Sequence, residues 1–522
     1  VHFEIAFVVL FTIATAVAVF ARRFKVPYTV ALVIAGIVLG TAHAFEAPHL
    51  TKEILFAVVL PGLLFEAAFH LELHKFWKNK IAIHALAVPG VLAAIGLTGV
   101  ILTPVADALH ITDRFLLIHG LVFAALIAAT DPIAVVGLFK SLGAPKRLAV
   151  LVEGESLLND GTAVVLFTLI LAVAGGAEMS VGDAVLEFVK VVGMGALIGL
   201  AFGFAASQVI HRLNDPMIEI TITMIAAYGS FAVAEQFHYS GVIATVVAGM
   251  MCGNFAARTG MSPSTRVAVE AFWEYLAFAL NSLVFLLIGF EVEVESLLAS
   301  WKAIVVASLA VLVARALVVG AVTALLQRSK ERIPWPWAAA LTWGGLKGGL
   351  SMVLVLGIPV DFAHRTLLVN MTFGVVVLSI LVQGLTMAPL LRRLRIVGAG
   401  ADRDDYETHL GAMQAAHAAL AELDDMDRNR VVHADVIESL RREYRERVEQ
   451  ATRSVRELHL EKGQLRAEEE RRARRQLLVT EKDRLLRAFR DGVIGQEAVE
   501  RLLTRVDGEL DRPETGHGTE KP

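Results

Sequence analysis

Thr130, Asp131, Glu155, Ser156, Asn159 and Asp160 lie in two neighbouring runs, A-A-T-D-P-I-A-V-V-G and L-V-E-G-E-S-L-L-N-D-G-T-A-V-V-L-F, that otherwise have the composition of membrane spans. A charge at the bilayer centre costs about 2.5–3.5 kcal/mol even on a lenient insertion scale, so such groups mark a functional site by default. With 3.6 residues per turn, Glu155 stacks on Asn159 and Ser156 on Asp160, two pairs on adjacent faces of one helix. That polar flank can face Asp131 and bring Asp131 and Asp160 together across the bundle. A dehydrated sodium ion needs several oxygen ligands. Thr130, Asp131, Ser156, Asp160 and carbonyls released near Pro132 are the right types. A carboxylate kept from water holds a proton or a cation more readily than it stands bare. Competition between the two for one carboxylate, opened to each side of a membrane in turn, is sufficient for antiport.

These side chains need helices to hold them. Residues 1–395 break into apolar runs of about 20 residues, the length that crosses a hydrocarbon core of about 30 Å as a helix. Spans are expected near 3–20, 28–43, 51–69, 81–103, 115–139, 148–174, 183–209, 217–236, 240–256, 270–290, 302–326, 335–357 and 365–391. The fold class is therefore all-α and polytopic, with about 13 transmembrane helices in 1–395 and a soluble helical domain in 396–522. The net charge of -4 averages two unlike parts, and the sole cysteine, Cys252, excludes disulfides and cysteine metal sites within the chain. Basic residues cluster after odd-numbered spans, as in Arg22, Arg23 and Lys25, in Lys140, Lys146 and Arg147, and in Arg392, Arg393 and Arg395. After even-numbered spans stand only Lys52, Arg114, Lys302 and Arg365. This asymmetry places the C-terminal tail in the cytoplasm and the N-terminus outside, on a first span that is retained rather than cleaved.

Two spans are interrupted at their middles. Pro132 cannot donate to the carbonyl of Ala128 and pushes Asp131 out of helical geometry, so a second half-helix is expected to start at Asp131. In the twelfth span, Gly344, Gly345, Gly348 and Gly349 bracket Lys347 and argue for local unwinding. Paired breaks in two halves of a chain point to a transporter's midplane site, with spans 1–6 and 8–13 as inverted repeats. Buried membrane charges are normally paired. Arg315 is the expected partner of Glu155, and Lys347 is placed to neutralise the carbonyl ends of the broken helix or Asp131. Glu66, in L-L-F-E-A-A-F, could line the access route. His43, His49, His70 and His119 are among several histidines near span ends. G-A-L-I-G-L-A-F-G at 195–203 is a small-residue packing face, turned to the chain's own bundle or to a second copy. The tail reads as long amphipathic helices in a small bundle or coiled coil. Arg471, Arg472, Arg474 and Arg475 are expected on a solvated face, Gly492 and Gly495 before a last short helix, and 512–522 as disordered.

Taken together, A-T-D-P-I-A-V-V and G-E-S-L-L-N-D-G-T-A-V-V-L-F resemble the monovalent cation:proton antiporters of the electroneutral sodium/proton exchanger branch. F-E-A-A-F, A-R-A-L-V-V-G and G-G-L-K-G-G-L-S resemble further segments of that family, so the similarity covers about residues 1–395. The resemblance implies thirteen spans with inverted repeats, crossed broken helices in a core that moves like an elevator, and a homodimer. It assigns Thr130, Asp131, Ser156, Asn159 and Asp160 to the ion site and Glu155 with Arg315 to a buried pair. It also implies one-for-one exchange, because Asn159 stands where electrogenic relatives carry a second aspartate. Lys347 departs from the arginine of many relatives, which keeps the charge but not the bidentate geometry.

The expected substrates are protons and sodium, with lithium a candidate beside it, in the plasma (inner) membrane. The expected roles are pH homeostasis and sodium tolerance. Potassium/proton exchange is the near alternative, since ligand types do not decide ion size. An intramembrane aspartyl protease built on Asp131 and Asp160 is the remote one, and it leaves Arg315, Lys347 and Asn159 without a role. No enzyme activity, no cofactor beyond the transported ions and no nucleic-acid partner are expected.

Overall fold

A computed structural model describes residues 3–24, 27–42, 55–213, 215–397, 400–428 and 433–461, with scattered positions between 477 and 506. Lys25, His43, His49, Lys52, the arginines at 471–475, Gly492 and residues 512–522 lie outside the described residues. The chain forms two compact units, Val1–Gly398 and Ala399–Pro522.

In the first unit, seven helices among the described residues are long and apolar enough to cross a membrane, and five shorter apolar helices join them. One of the five, Leu117–Leu126, is the first half of a broken span. A second broken span is built from Trp335–Trp343 and Gly349–Leu356. Counted by span, these are the expected thirteen. The tenth begins at Pro263, well before the expected 270, because Ser262 caps it. Its Oγ accepts from the Thr265 amide (3.2 Å), and Pro263 occupies the first helical position. Arg266 and Glu270 pair along this helix at 2.7 Å.

Glycine sets the closest helix approaches. A Cβ at Gly199 of the seventh span would stand 2.2 Å from the Ala244 carbonyl of the ninth, and one at Gly195 would stand 2.6 Å from that of Ser240. The small-residue face of 195–203 therefore packs within the chain's own bundle. Its other face, with Leu197, Leu200 and Phe204, is exposed. A second bracing point lies in the first turn of the sixth span, whose helix runs Lys146–Ala174. Arg147 donates from Nε to Asn79 Oδ1 (2.7 Å) and from its terminal nitrogens to the carbonyls of Glu331 (3.0 Å) and Arg332 (3.1 Å). Glu331 in turn accepts from the Ala82 amide at 2.9 Å, in the first turn of the fourth span. A basic residue that reads as a topology signal in sequence thus also fastens three elements together.

The second unit contains the helices Gly400–Arg428 and Ala434–Glu461, which pack on each other, with Ala416, Leu423, Ile437 and Ala451 buried. Arg441 reaches from one to Asp424 (2.7 Å) and Asp427 (3.2 Å) on the other.

Gly199→Val should destabilise the membrane unit by about 1–3 kcal/mol through overpacking. Gly193→Val, where a Cβ meets no atom within 4 Å, should be near neutral. Thermal unfolding of the two purified variants in detergent checks the difference.

Candidate functional site

The fifth span stops being helical after Leu126, and its second half starts at Ile133 rather than at Asp131. Asp131 lies in the non-helical crossing because its amide is used elsewhere: it donates to the Leu346 carbonyl in the break of the twelfth span, at 2.8 Å. The two breaks therefore cross. Two glycines allow this contact. A Cβ on Gly348 would lie 2.6 Å from Asp131 Cβ, and one on Gly345 would lie 2.2 Å from Arg315 Nε.

Much of the unwound backbone has partners, as irregular structure at membrane depth requires. Ala128 O accepts from Asn159 Nδ2 (3.1 Å) and Lys347 Nζ (3.3 Å), and Ala129 O accepts from Lys347 Nζ (3.3 Å). Thr130 O accepts from Ser156 Oγ. Across the crossing, Leu341 O accepts from Arg315 Nε (3.2 Å) and from one terminal nitrogen (3.0 Å), while Lys347 N donates to Ser379 Oγ (3.0 Å). Ser379 opens a widened helical turn at 379–383, an irregularity of the kind often found at functional sites. Lys347 thus sits on the carbonyl end of the broken fifth span, the first of the two positions open to it from sequence. The carbonyls expected as cation ligands are already engaged.

Glu155 and Arg315 form a bidentate pair, Nη1 to Oε1 at 3.1 Å and Nη2 to Oε2 at 3.0 Å, with Glu155 buried. Thr130 and Ser156 hydroxyls meet at 3.1 Å, and Asn159 Nδ2 also reaches Thr130 Oγ1 at 3.1 Å. Asn159 Oδ1 and Asp160 Oδ1 are buried without a hydrogen bond.

The predicted carboxylates and their polar neighbours fall into separate cavities, with Arg315 and Lys347 also lining a third of about 270 Å³. Thr130, Asp131 and Asp160 line one of about 80 Å³, whose walls are otherwise almost wholly apolar. Glu155, Asn159, Arg315 and Lys347 line a smaller one of about 40 Å³. Ser156 lines neither and stands behind Thr130. Glu66 is not brought to either cavity; its carboxylate lies 3.2 Å from His70 Nδ1, and His70 Nε2 lies 3.8 Å from Glu274. One residue that sequence reading passed over, Asn281, lines the larger cavity. The available signal was a lone amide in the apolar run A-L-N-S-L-V-F.

Residues 7–393 match the model of the sodium/hydrogen exchanger transmembrane family. The chain belongs to that family. It is 36% identical over 379 residues to the Na(+)/H(+) antiporter ApNhaP of Aphanothece halophytica, covering 72% of this chain and 71% of that protein. It is 34% identical over 473 residues to the Na(+)/H(+) antiporter NhaG of Bacillus atrophaeus, covering 89% and 87%. Its fold is similar to that of the sodium proton antiporter MjNhaP1 of Methanocaldococcus jannaschii, with a TM-score of 0.61, 17% identity, and coverage of 75% of this chain and 97% of the other. Members of the family are multi-pass membrane transporters rather than enzymes, which removes the protease reading. The NhaG match, at 89% of the chain, also runs past residue 393 into the second unit.

Glu155→Gln should cost about 3–5 kcal/mol, since it leaves a buried guanidinium without its counter-charge. Exchanging the charges at 155 and 315 together should recover only part of this, because a glutamate at 315 would face the Leu341 carbonyl that Arg315 now satisfies. Thermal unfolding of the single and double variants measures both. Gly348→Ala should abolish transport by displacing Asp131, whereas Gly137→Ala, open within 4 Å, should retain it; flux in membrane vesicles distinguishes them.

Proposed function

We propose that this chain exchanges sodium for protons, one for one, with Asp160 as the exchanging carboxylate and Asp131 beside it. The observation that carries the reading is the pair of carboxylates lining one small cavity at the crossing of two broken spans. Nearby charge is already committed: Glu155 to Arg315, and Lys347 to the carbonyls of Ala128 and Ala129. In this reading Asp131 and Asp160 are the anions on that cavity for which sodium and protons compete. Asn159 carries no titratable proton, which fits a single proton per cycle. Thr130 presents a hydroxyl to the cavity, and Ser156 fixes its position from behind. Glu66, outside both cavities, serves in this reading only as a group along the access route.

Alternating access would follow from an elevator-like shift of the crossed spans against their surroundings, in a homodimer. The membrane is the plasma (inner) membrane, the N-terminus is outside, and the helical tail is cytoplasmic and regulatory. The cellular roles are pH homeostasis and sodium tolerance.

Everted vesicles carrying an acid-inside gradient test this. Adding sodium should dissipate the gradient in the wild type and not in Asp160→Ala or Asp131→Ala. Collapsing the membrane potential should leave the rate unchanged. Normal exchange by Asp160→Ala would refute the assignment, and a response to potassium in place of sodium would reassign the ion. Because protons occupy the same carboxylate, the half-saturating sodium concentration should rise as pH falls, approaching about tenfold per pH unit where the site is mostly protonated.

A further inference from the structure

The cavity that holds Asp131 and Asp160 has one polar side chain to which the exchange reading gives no role. Asn281, in the tenth span, is 7% exposed and lines it. Its neighbour Ser282 has ordinary partners, donating to the Phe278 carbonyl (2.5 Å) and sharing a bond with Tyr28 Oη (2.7 Å). The Asn281 carboxamide, by contrast, makes no hydrogen bond with any described residue. A leucine has nearly the same shape and would suit the apolar surroundings of Leu60, Val284 and Phe285 better. Burying an amide without a partner is unfavourable unless something else in the cavity binds it. The cavity has room for a few water molecules or a partly dehydrated ion.

We propose that Asn281 supplies a neutral oxygen ligand to the transported cation, from a wall of the cavity other than the one formed by the fifth and sixth spans. The inference rests on the exchange reading above. A carboxamide oxygen suits this position because it adds a dipole without a third negative charge. Cation affinity rises with the charge of the ligand set, and a third carboxylate would hold the ion too firmly to release it. A fixed extra oxygen also helps the smaller cations most, since they give up the most hydration on entry. The tenth span packs on the second and third spans, so this ligand belongs to a different set of helices from Asp131 and Asp160. Relative movement of the two sets would then remove it from the ion and weaken binding on one side of the membrane.

The test is sodium-, lithium- and potassium-driven proton flux in everted vesicles of full-length protein, with the amount in the membrane measured for each variant. Asn281→Leu should raise the half-saturating sodium concentration by about tenfold, more than it lowers the maximal rate, and should shift preference towards potassium. Asn281→Ser should recover part of the sodium affinity. Asn281→Asp should lower the half-saturating concentration and slow maximal turnover. An Asn281→Leu variant with unchanged half-saturation and ion preference would overturn the proposal, as would a set of variants that lose maximal rate alone. Should Asn281→Leu fail to reach the membrane, Asn281→Asp decides, and half-saturation that is unchanged or raised counts against the ligand. A wild type without sodium-dependent flux would overturn the exchange reading itself. A normal wild type with unresponsive Asn281 variants overturns only this assignment.

Discussion

Irregular backbone inside a membrane must find partners for its polar groups, because no water is there to supply them. The site depends on how this chain meets that requirement. Pro132 breaks one helix and a glycine cluster breaks another, and each break answers part of the other's need. Asp131 N binds Leu346 O directly. The carbonyls of Thr130, Ala128, Ala129 and Leu341 accept from Ser156, Asn159, Lys347 and Arg315 respectively. The crossing is therefore a hydrogen-bonded unit rather than a loose joint, and it binds the carboxylates as well: the Thr130 backbone hydrogen-bonds to Asp160 while Asp160 Oδ1 is left without a partner.

The same partners settle the electrostatics. Lys347 neutralises the carbonyl end of a half-helix, where negative dipole ends converge. Arg315 balances Glu155 and satisfies Leu341 O with the same guanidinium. A planar fork can do this, and an ammonium could not reach three acceptors in that arrangement. With those charges matched, the cavity beside them sets the carboxylates of Asp131 and Asp160 against largely apolar walls.

Much of this was legible from the residues alone. Spans were visible because hydrocarbon thickness imposes a length. The breaks were visible because Pro132 lacks an amide hydrogen and glycines 344, 345, 348 and 349 tolerate unwinding. The Glu155–Arg315 partnership could be proposed because unpaired membrane charges are costly. What could not be read was which neighbour claims each group. The half-helix starts two residues later than Asp131 because a distant carbonyl takes the Asp131 amide. The tenth span starts early because Ser262 and Pro263 form a start signal ahead of the apolar run.

The sequence by itself determined the number of spans, the two broken helices and the residue types able to hold a cation, since each of these follows from local chemistry acting under a membrane constraint. Only the tertiary structure decided that the breaks cross at Gly348 and Asp131, that Asp131 and Asp160 share one cavity while Glu155, Asn159, Arg315 and Lys347 share another, and that Asn281 joins the first. Those facts depend on contacts between residues separated by up to some two hundred positions, set by the close approach of helices at glycine, and no local pattern encodes them.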